Sequence, residues 1–230
     1  MAIILFGTRQ SPFVEKVYRG LMVKRMPFQL HQPHSPLDLR RHNPTTGKMP
    51  VLDLDGRRVF DSTLILQALD EFKPEPALLS PDPQLAAQQR LLEDWADESL
   101  YWYGMALHWS VPANTARVMR VFTENAPAIF RPLLKVTVPR LLRSQVRAQG
   151  TGRLPLDILL RQLDTHLAML VRLLGAGPFF FGASQPSIAD LAVFGQISFL
   201  YSPVTPEGKA AVDKHPELLD FQARLDAVTD

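Results

Sequence analysis

Three short stretches of this chain carry residue types that chemistry can use, and each precedes a predicted helix or strand. Ser11 follows the apolar run Ala2-Ile3-Ile4-Leu5-Phe6-Gly7 and leads through Pro12-Phe13 into a helical pattern. The first turn of a helix has unpaired N–H groups and a partial positive charge, so a hydroxyl there can help bind or stabilise an anion. Serine is also a preferred N-cap, and the residues alone leave both readings open. Asp61-Ser62 places an acid beside a hydroxyl at the start of a second helical pattern, where capping is again an alternative. Lys48-Met49-Pro50 enters a strand. About 5–6% of X-Pro bonds are cis; a cis Met49-Pro50 bond would turn the Met49 backbone outward, where an extended peptide can pair with it.

Composition narrows what these groups can do. None of the 230 residues is cysteine. That excludes a disulfide framework, a thiolate zinc site and a cysteine nucleophile from the protein, so thiol chemistry needs a thiol from outside. With 46% apolar and 21% charged residues the chain reads as an ordinary globular protein of one large domain or two small ones. A formal charge of +2 implies no nucleic-acid partner. No apolar segment reaches the roughly 18 residues of a membrane helix, and the N-terminal run lacks the length and basic flank of a signal peptide. A cytoplasmic location is expected. The six histidines form no pair at helical metal spacing, and no metal is expected.

Two further groupings have bland and functional readings. Trp95, Trp102 and Trp109 fall seven apart, with Tyr101 and Tyr103 between them, as in a helix core or an apolar pocket. Residues 117 to 161 hold nine basic and two acidic residues, with Arg140, Arg143 and Arg147 on one helical face. A solvated face explains this; an anionic partner such as a lipid headgroup or acidic protein is the alternative.

The elements that must position these groups begin with a strand at Ala2–Phe6 and a helix at Phe13–Met26, apolar at Phe13, Val14, Val17, Leu21 and Met22. Phe28–His31 reads as a strand and Leu37–Arg41 as a short helix stopped by Pro44. Val51–Leu54 and Arg57–Phe60 flank Asp55-Gly56, a strong hairpin signal. Ser62 is expected to cap a helix over Thr63–Phe72. Prolines at 74, 76, 81 and 83 mark a linker, after which strand signals stop. The pattern then predicts one long helix over Gln84–Trp109, a helix capped by Asn114, and a helix over Ala128–Gln149 that its prolines should bend or interrupt. Further helices are predicted over Ile158–Leu174 ending at Gly175, from the capping box Ser187-Ile188-Ala189-Asp190, and from Pro216 to Val228. No internal repeat is evident.

In this order and spacing, Ser11-Pro12-Phe13, Lys48-Met49-Pro50-Val51-Leu52 and Asp61-Ser62-Thr63 resemble the glutathione transferase superfamily over most of the chain. The resemblance implies an α/β plus all-α fold: an N-terminal thioredoxin-like, glutathione-binding domain (1–76), a linker (77–84) and an all-helical domain (85–230). It implies that Ser11 activates the thiol of glutathione, the co-substrate. The Met49-Pro50 loop would pair with the peptide backbone, and Asp61 and Ser62 would hold the γ-glutamyl end. Phe13 belongs to the first motif, and Lys48 and His34 are candidates for the glycyl carboxylate. Tyr101, Trp102 and Trp109 are candidates for a pocket that takes a small hydrophobic electrophile. A homodimer follows by resemblance, and the lack of cysteine argues against dehydroascorbate reduction. Pro139-Arg140-Leu141-Leu142, Gln149-Gly150-Thr151-Gly152-Arg153, Pro178–Gly182, Ala192–Gly195 and Glu98–Trp102 look like the failed-axon and metaxin-like branch. The chain ends at Phe221–Leu225 and beyond without a tail-anchor pattern. That branch implies an alternative, a non-catalytic binding or scaffold protein of the same fold.

Overall fold

β-Branched and aromatic residues at Ile3–Phe6 form the central strand β1, and the amphipathic segment after it forms helix α1 (Pro12–Val23). Val14, Val17 and Leu21 of α1 are fully buried. These features belong to a computed structural model that describes residues 2–33, 36–124 and 128–229. Strand β2 (Gln29–His31) runs parallel to β1, and helix α2 (Pro36–His42) follows. Strands β3 (Val51–Leu54) and β4 (Arg57–Phe60) complete a four-stranded sheet of order β2-β1-β3-β4, in which β3 is antiparallel to both neighbours. The hairpin turns at Asp55 (φ 54°) and Gly56 (φ 90°), the two left-handed residues that match strand twist. Helix α3 (Ser62–Phe72) packs beside α1.

Ten residues separate α3 from α4 (Pro83–Trp95). This proline-rich segment is held down rather than free: Leu78 is fully buried, its N–H donates to Asp70, and the buried Lys24 ammonium donates to the carbonyls of Lys73 and Pro76. A single long helix does not follow. A π-helical turn over Ala96–Leu100 separates α4 from α5 (Tyr101–Ser110), so the spacing of Trp95, Trp102 and Trp109 does not trace one continuous α-helical stripe. Helix α6 (Pro112–Phe122) starts at Pro112, whose preset φ suits the first helical position. Asn114 therefore lies inside α6 instead of capping it, and its buried amide donates to the Leu107 carbonyl and to Glu207.

A 3-10 turn at Ala128–Phe130 precedes α7 (Arg131–Gln149), which accommodates Pro139 within it. Helix α8 (Leu156–Leu174) buries Leu159, Leu163, Leu167, Leu170 and Leu174, the expected stripe, and ends at Gly175 with φ 64°. Helix α9 (Ile188–Leu200) starts at the capping box: Asp190 accepts from the Ser187 N–H (2.8 Å) and hydroxyl (2.7 Å) and from the Phe180 N–H (2.8 Å). Burial pushes the Asp190 carboxyl up to about 6, and these hydrogen bonds oppose that shift. Helices α10 (Pro206–Val212) and α11 (Pro216–Thr229) follow.

The chain divides into two compact units. One comprises Met1–Asp97, Arg172–Phe199 and Asp220–Asp230, and so holds the sheet, α1 to α4, most of α9 and most of α11. The other comprises Glu98–Val171 and Leu200–Leu219 and is helical.

Candidate functional site

Sheet register brings the first set of candidate residues together. His31, Phe6, Val51 and Phe60 form one cross-strand row at one end of the sheet. Adjacent strands are about 4.8 Å apart, so the segments that leave or enter the sheet at this row share one small area. Ser11 follows Phe6, Met49-Pro50 precedes Val51, and Asp61-Ser62 follows Phe60.

Ser11 occupies the N-cap position of α1, with φ −84° and ψ 125°, yet its side chain makes no capping hydrogen bond. Pro12 is the first residue of the helix and is buried, and Phe13 is half-buried. Gly195 of α9 lies against this turn: a Cβ there would stand 2.4 Å from the Pro12 carbonyl oxygen. The α1 start is thus fixed by close backbone approach. Met49-Pro50 is cis. Asn43, just past α2, braces this loop through donations to Thr46 Oγ1 (2.7 Å) and to the Lys48 carbonyl (2.9 Å). The Lys48 side chain is exposed. His34 lies outside the described residues.

At the third segment the roles of two residues differ from the expected ones. Asp61, not Ser62, caps α3: its Oδ1 accepts from the N–H groups of Thr63 (3.0 Å) and Leu64 (3.3 Å) at a left-handed φ of 75°. Ser62 is the first helical residue and is buried. An aspartate one residue earlier can reach the second and third N–H groups, which a residue already inside the helix cannot.

Ser62 leads into a charged network that the sequence pattern conceals. Lys16 of α1 is fully buried, and its ammonium donates to Glu93, to Asp97 (2.6 Å), to Thr63 Oγ1 (3.1 Å) and to Ser62 Oγ (3.4 Å). Thr63 Oγ1 also donates to Glu93, and Gln196 donates to Asp97 at 3.4 Å. Burial pushes the Asp97 carboxyl up to about 6 against the pull of Lys16. The helix start at Asp61–Thr63 is therefore tied to α1 and α4 through one cation. In the sequence Lys16 is one charge in a helical pattern, and its partners Thr63, Glu93 and Asp97 lie 47, 77 and 81 positions away.

Beside the same row, Phe6 stacks on His42 (3.9 Å between centroids), and His31 meets Phe6 edge-on at 5.2 Å. His31, Asp38 and His42 bring one potential metal-ligating atom each within 4.8 Å of one another, the one such trio among the described residues. Burial and the nearby Arg58 lower the His42 pKa, and Asp38 opposes them. Sequence reasoning passed over this trio because the three residues come from β2 and α2.

The helical unit holds the aromatic candidates. Tyr101 and Trp102 are half-buried and meet edge-on at 5.4 Å, and burial pushes the Tyr101 hydroxyl up to about 12. Trp109 is only 5% exposed, and its carbonyl accepts from Arg143. Tyr103 is buried, with its hydroxyl within hydrogen-bond distance of Gln162 and His166.

Comparison with known proteins bears on this arrangement at two levels. Residues 5–77 match the family described as glutathione S-transferase, N-terminal domain, and residues 163–225 match glutathione S-transferase, C-terminal domain. Glutathione transferase GST 23 of Zea mays is 34% identical over 98 residues, which are 41% of this chain and 44% of that protein. The match thus spans less than half the length of this curated relative. Among solved structures, the β-etherase LigF of a Sphingobium species has a TM-score of 0.73 at 23% identity, covering 99% of this chain and 96% of that one. A glutathione S-transferase of Methylobacterium radiotolerans in complex with glutathione sulfonate has a TM-score of 0.62 at 25% identity, covering 99% and 91%. The sheet with its helices and the following helical region have the glutathione transferase fold, a thioredoxin-like domain and a helical domain. With models of one superfamily matching both sides of the proline-rich segment, together over more than half of its length, the chain belongs to the glutathione S-transferase superfamily.

Proposed function

We propose that the protein binds glutathione at the sheet end described above and promotes attack of its thiolate on a small hydrophobic electrophile. The observation that carries this reading is the Ser11 hydroxyl, which stands at a helix N-terminus and, among the described residues, makes no capping hydrogen bond. A free thiol has a pKa near ~8.5, and lowering it by two units requires about 2.7 kcal/mol of preference for the thiolate. One hydroxyl hydrogen bond to sulfur, with the N–H groups of the first turn, is of that size. Sulfur then donates an electron pair to the electrophilic carbon. A C–S bond forms, and the displaced group leaves with its own pair.

The remaining groups orient the peptide. The Met49 backbone pairs with it as an added strand would. Asp61 spends Oδ1 on the cap, which leaves Oδ2 for the γ-glutamyl ammonium. The Ser62 hydroxyl accepts from Lys16 and can donate its proton to the γ-glutamyl carboxylate. Lys48 and His34 serve the glycyl carboxylate, with Phe13 beside the first motif. Tyr101, Trp102 and Trp109 are assigned to the electrophile's surroundings. The domain limits 1–76, 77–84 and 85–230, the homodimer and the failed-axon and metaxin-like affinity of the C-terminal half belong to the same reading.

Ser11→Ala tests it. Conjugation of glutathione to a chloronitroarene should fall about 10- to 100-fold, the loss of one hydrogen bond to a charged group, with glutathione affinity largely kept. Unchanged turnover would remove Ser11 from the mechanism. Absence of glutathione binding at millimolar concentration would favour the non-catalytic scaffold instead.

A further inference from the structure

The outward face of α7 changes chemistry halfway along. Its inner face is Leu134, Val138, Leu142 and Val146, at steps of four, half-buried or buried. On the outer face, at steps of three and four, stand Leu133, Val136, Arg140, Arg143 and Arg147, all exposed. Leu133 is 60% exposed, and Ile129, just before the helix, is 81% exposed. Phe122, at the end of α6, and Phe130 are each 54% exposed. From Leu133 to Arg147 the helix rises about 21 Å, apolar at its beginning and cationic at its end.

The cationic end is concave. Arg140, Arg143, Arg147 and Arg153 line an open cavity of 580 Å³. Arg143 Nε is anchored on the Trp109 carbonyl (2.9 Å) and Arg153 Nε on the Arg147 carbonyl (2.7 Å), which holds both guanidinium groups in place. Among the described residues, none of these four arginines is paired with a carboxylate. Across residues 117 to 161 nine basic residues face two acidic ones.

We infer that this face of α6 and α7 docks on an anionic phospholipid surface, with the arginines on headgroup phosphates and the apolar beginning of α7 at the acyl boundary. Charge and polarity together select this occupant. A second copy of the chain would bring the same excess of arginine against itself. A soluble phosphate compound would satisfy the arginines and leave Ile129, Phe130 and Leu133 in water. An anionic bilayer offers both counterparts at different depths, and exposed apolar side chains flanked by cations are the recognised chemistry of interfacial attachment. Among the described residues no helix is long and apolar enough to cross a membrane, so the contact is one of lying on the surface.

Sedimentation of the full chain with vesicles tests the inference. Vesicles with about one third phosphatidylglycerol should carry the protein down at low salt, and pure phosphatidylcholine vesicles should not. Each charge removed near the surface weakens partition about fivefold, so Arg140→Glu with Arg147→Glu should lower it by well over tenfold. Ile129→Ser with Leu133→Ser should lower it by a comparable factor, and circular dichroism checks that both variants are folded. No binding to the anionic vesicles at low salt would overturn the proposal, as would binding indifferent to the arginine pair. Two other results would also overturn it: binding abolished by millimolar inorganic phosphate but indifferent to the apolar pair, and a dimer that dissociates in Ile129→Ser with Leu133→Ser.

Discussion

Helices α1 and α7 both carry several charges among apolar residues, yet they use them in opposite ways. In α1, Glu15, Lys16 and Arg19 are buried and matched. Glu15 accepts from both Arg9 (2.7 Å) and Arg19 (2.8 Å), and Lys16 serves two carboxylates and two hydroxyls. In α7, Arg140, Arg143 and Arg147 are exposed, and among the described residues the guanidinium groups of Arg140 and Arg143 donate to backbone carbonyls and none of the three pairs with a carboxylate. A buried charge is tolerated when it is paired, and it then fixes the position of whatever it touches. An exposed charge adds little to stability and is free to meet a partner. The contrast separates positioning, which α1 provides at the sheet end, from recognition, which we assign to α7.

The comparison breaks most visibly at Lys16. Lys16→Met should leave Glu93 and Asp97 buried without a cation and cost about 3–5 kcal/mol in urea unfolding; a loss under 1 kcal/mol would mean that water reaches the network. A second test uses pH. The folded Asp97 carboxyl lies at about 6, above its ordinary value of 3.8, because burial disfavours the charge. The folded state therefore binds this proton more tightly than the unfolded state, and the contribution of Asp97 to stability falls as pH rises from about 4 to about 6. The span corresponds to roughly 3 kcal/mol at most, and Asp97→Asn should remove the Asp97 share of this slope from urea titrations across that range, leaving the share of Asp190, whose buried carboxyl also lies at about 6.

Gly195→Ala sharpens the positioning side. The added Cβ would collide with the Pro12 carbonyl, at an expected cost of about 1–3 kcal/mol. Because Ser11 adjoins this turn, conjugation should fall further than stability accounts for, measured at a temperature where the variant is fully folded. The smallest effect belongs to α7: Arg140→Glu should change the unfolding free energy by no more than about 0.5 kcal/mol, while vesicle binding weakens. A large loss of stability would return that arginine to the structural class.

Much of the architecture was legible because it rests on local signals. The β3–β4 hairpin follows from Asp55-Gly56, α9 from Ser187 and Asp190, and the α8 core from leucines at helical spacing. The structure departs from the expected elements where a local signal competes with another nearby. Asp61 took the cap expected of Ser62, Pro112 started the helix expected from Asn114, and a π-helical turn split the long helix. Of the site, the three motifs and the change of class after the prolines could be read from residue types. The Lys16 network and the His31, Asp38 and His42 trio could not, since their members are brought together by packing across several elements.

By itself the sequence determined the absence of a protein thiol, the order of the motifs and the periodicities of most helices, all of which depend on residue identity and near neighbours. Tertiary structure alone decided that Ser11 makes no capping hydrogen bond among the described residues while Asp61 spends an oxygen on a cap. It also decided that Lys16 is enclosed while Arg140 is open to solvent. The reason is physical: hydrogen-bond partners and burial are set by which distant segments arrive at a side chain, and one cation in a helical pattern looks like another until they do.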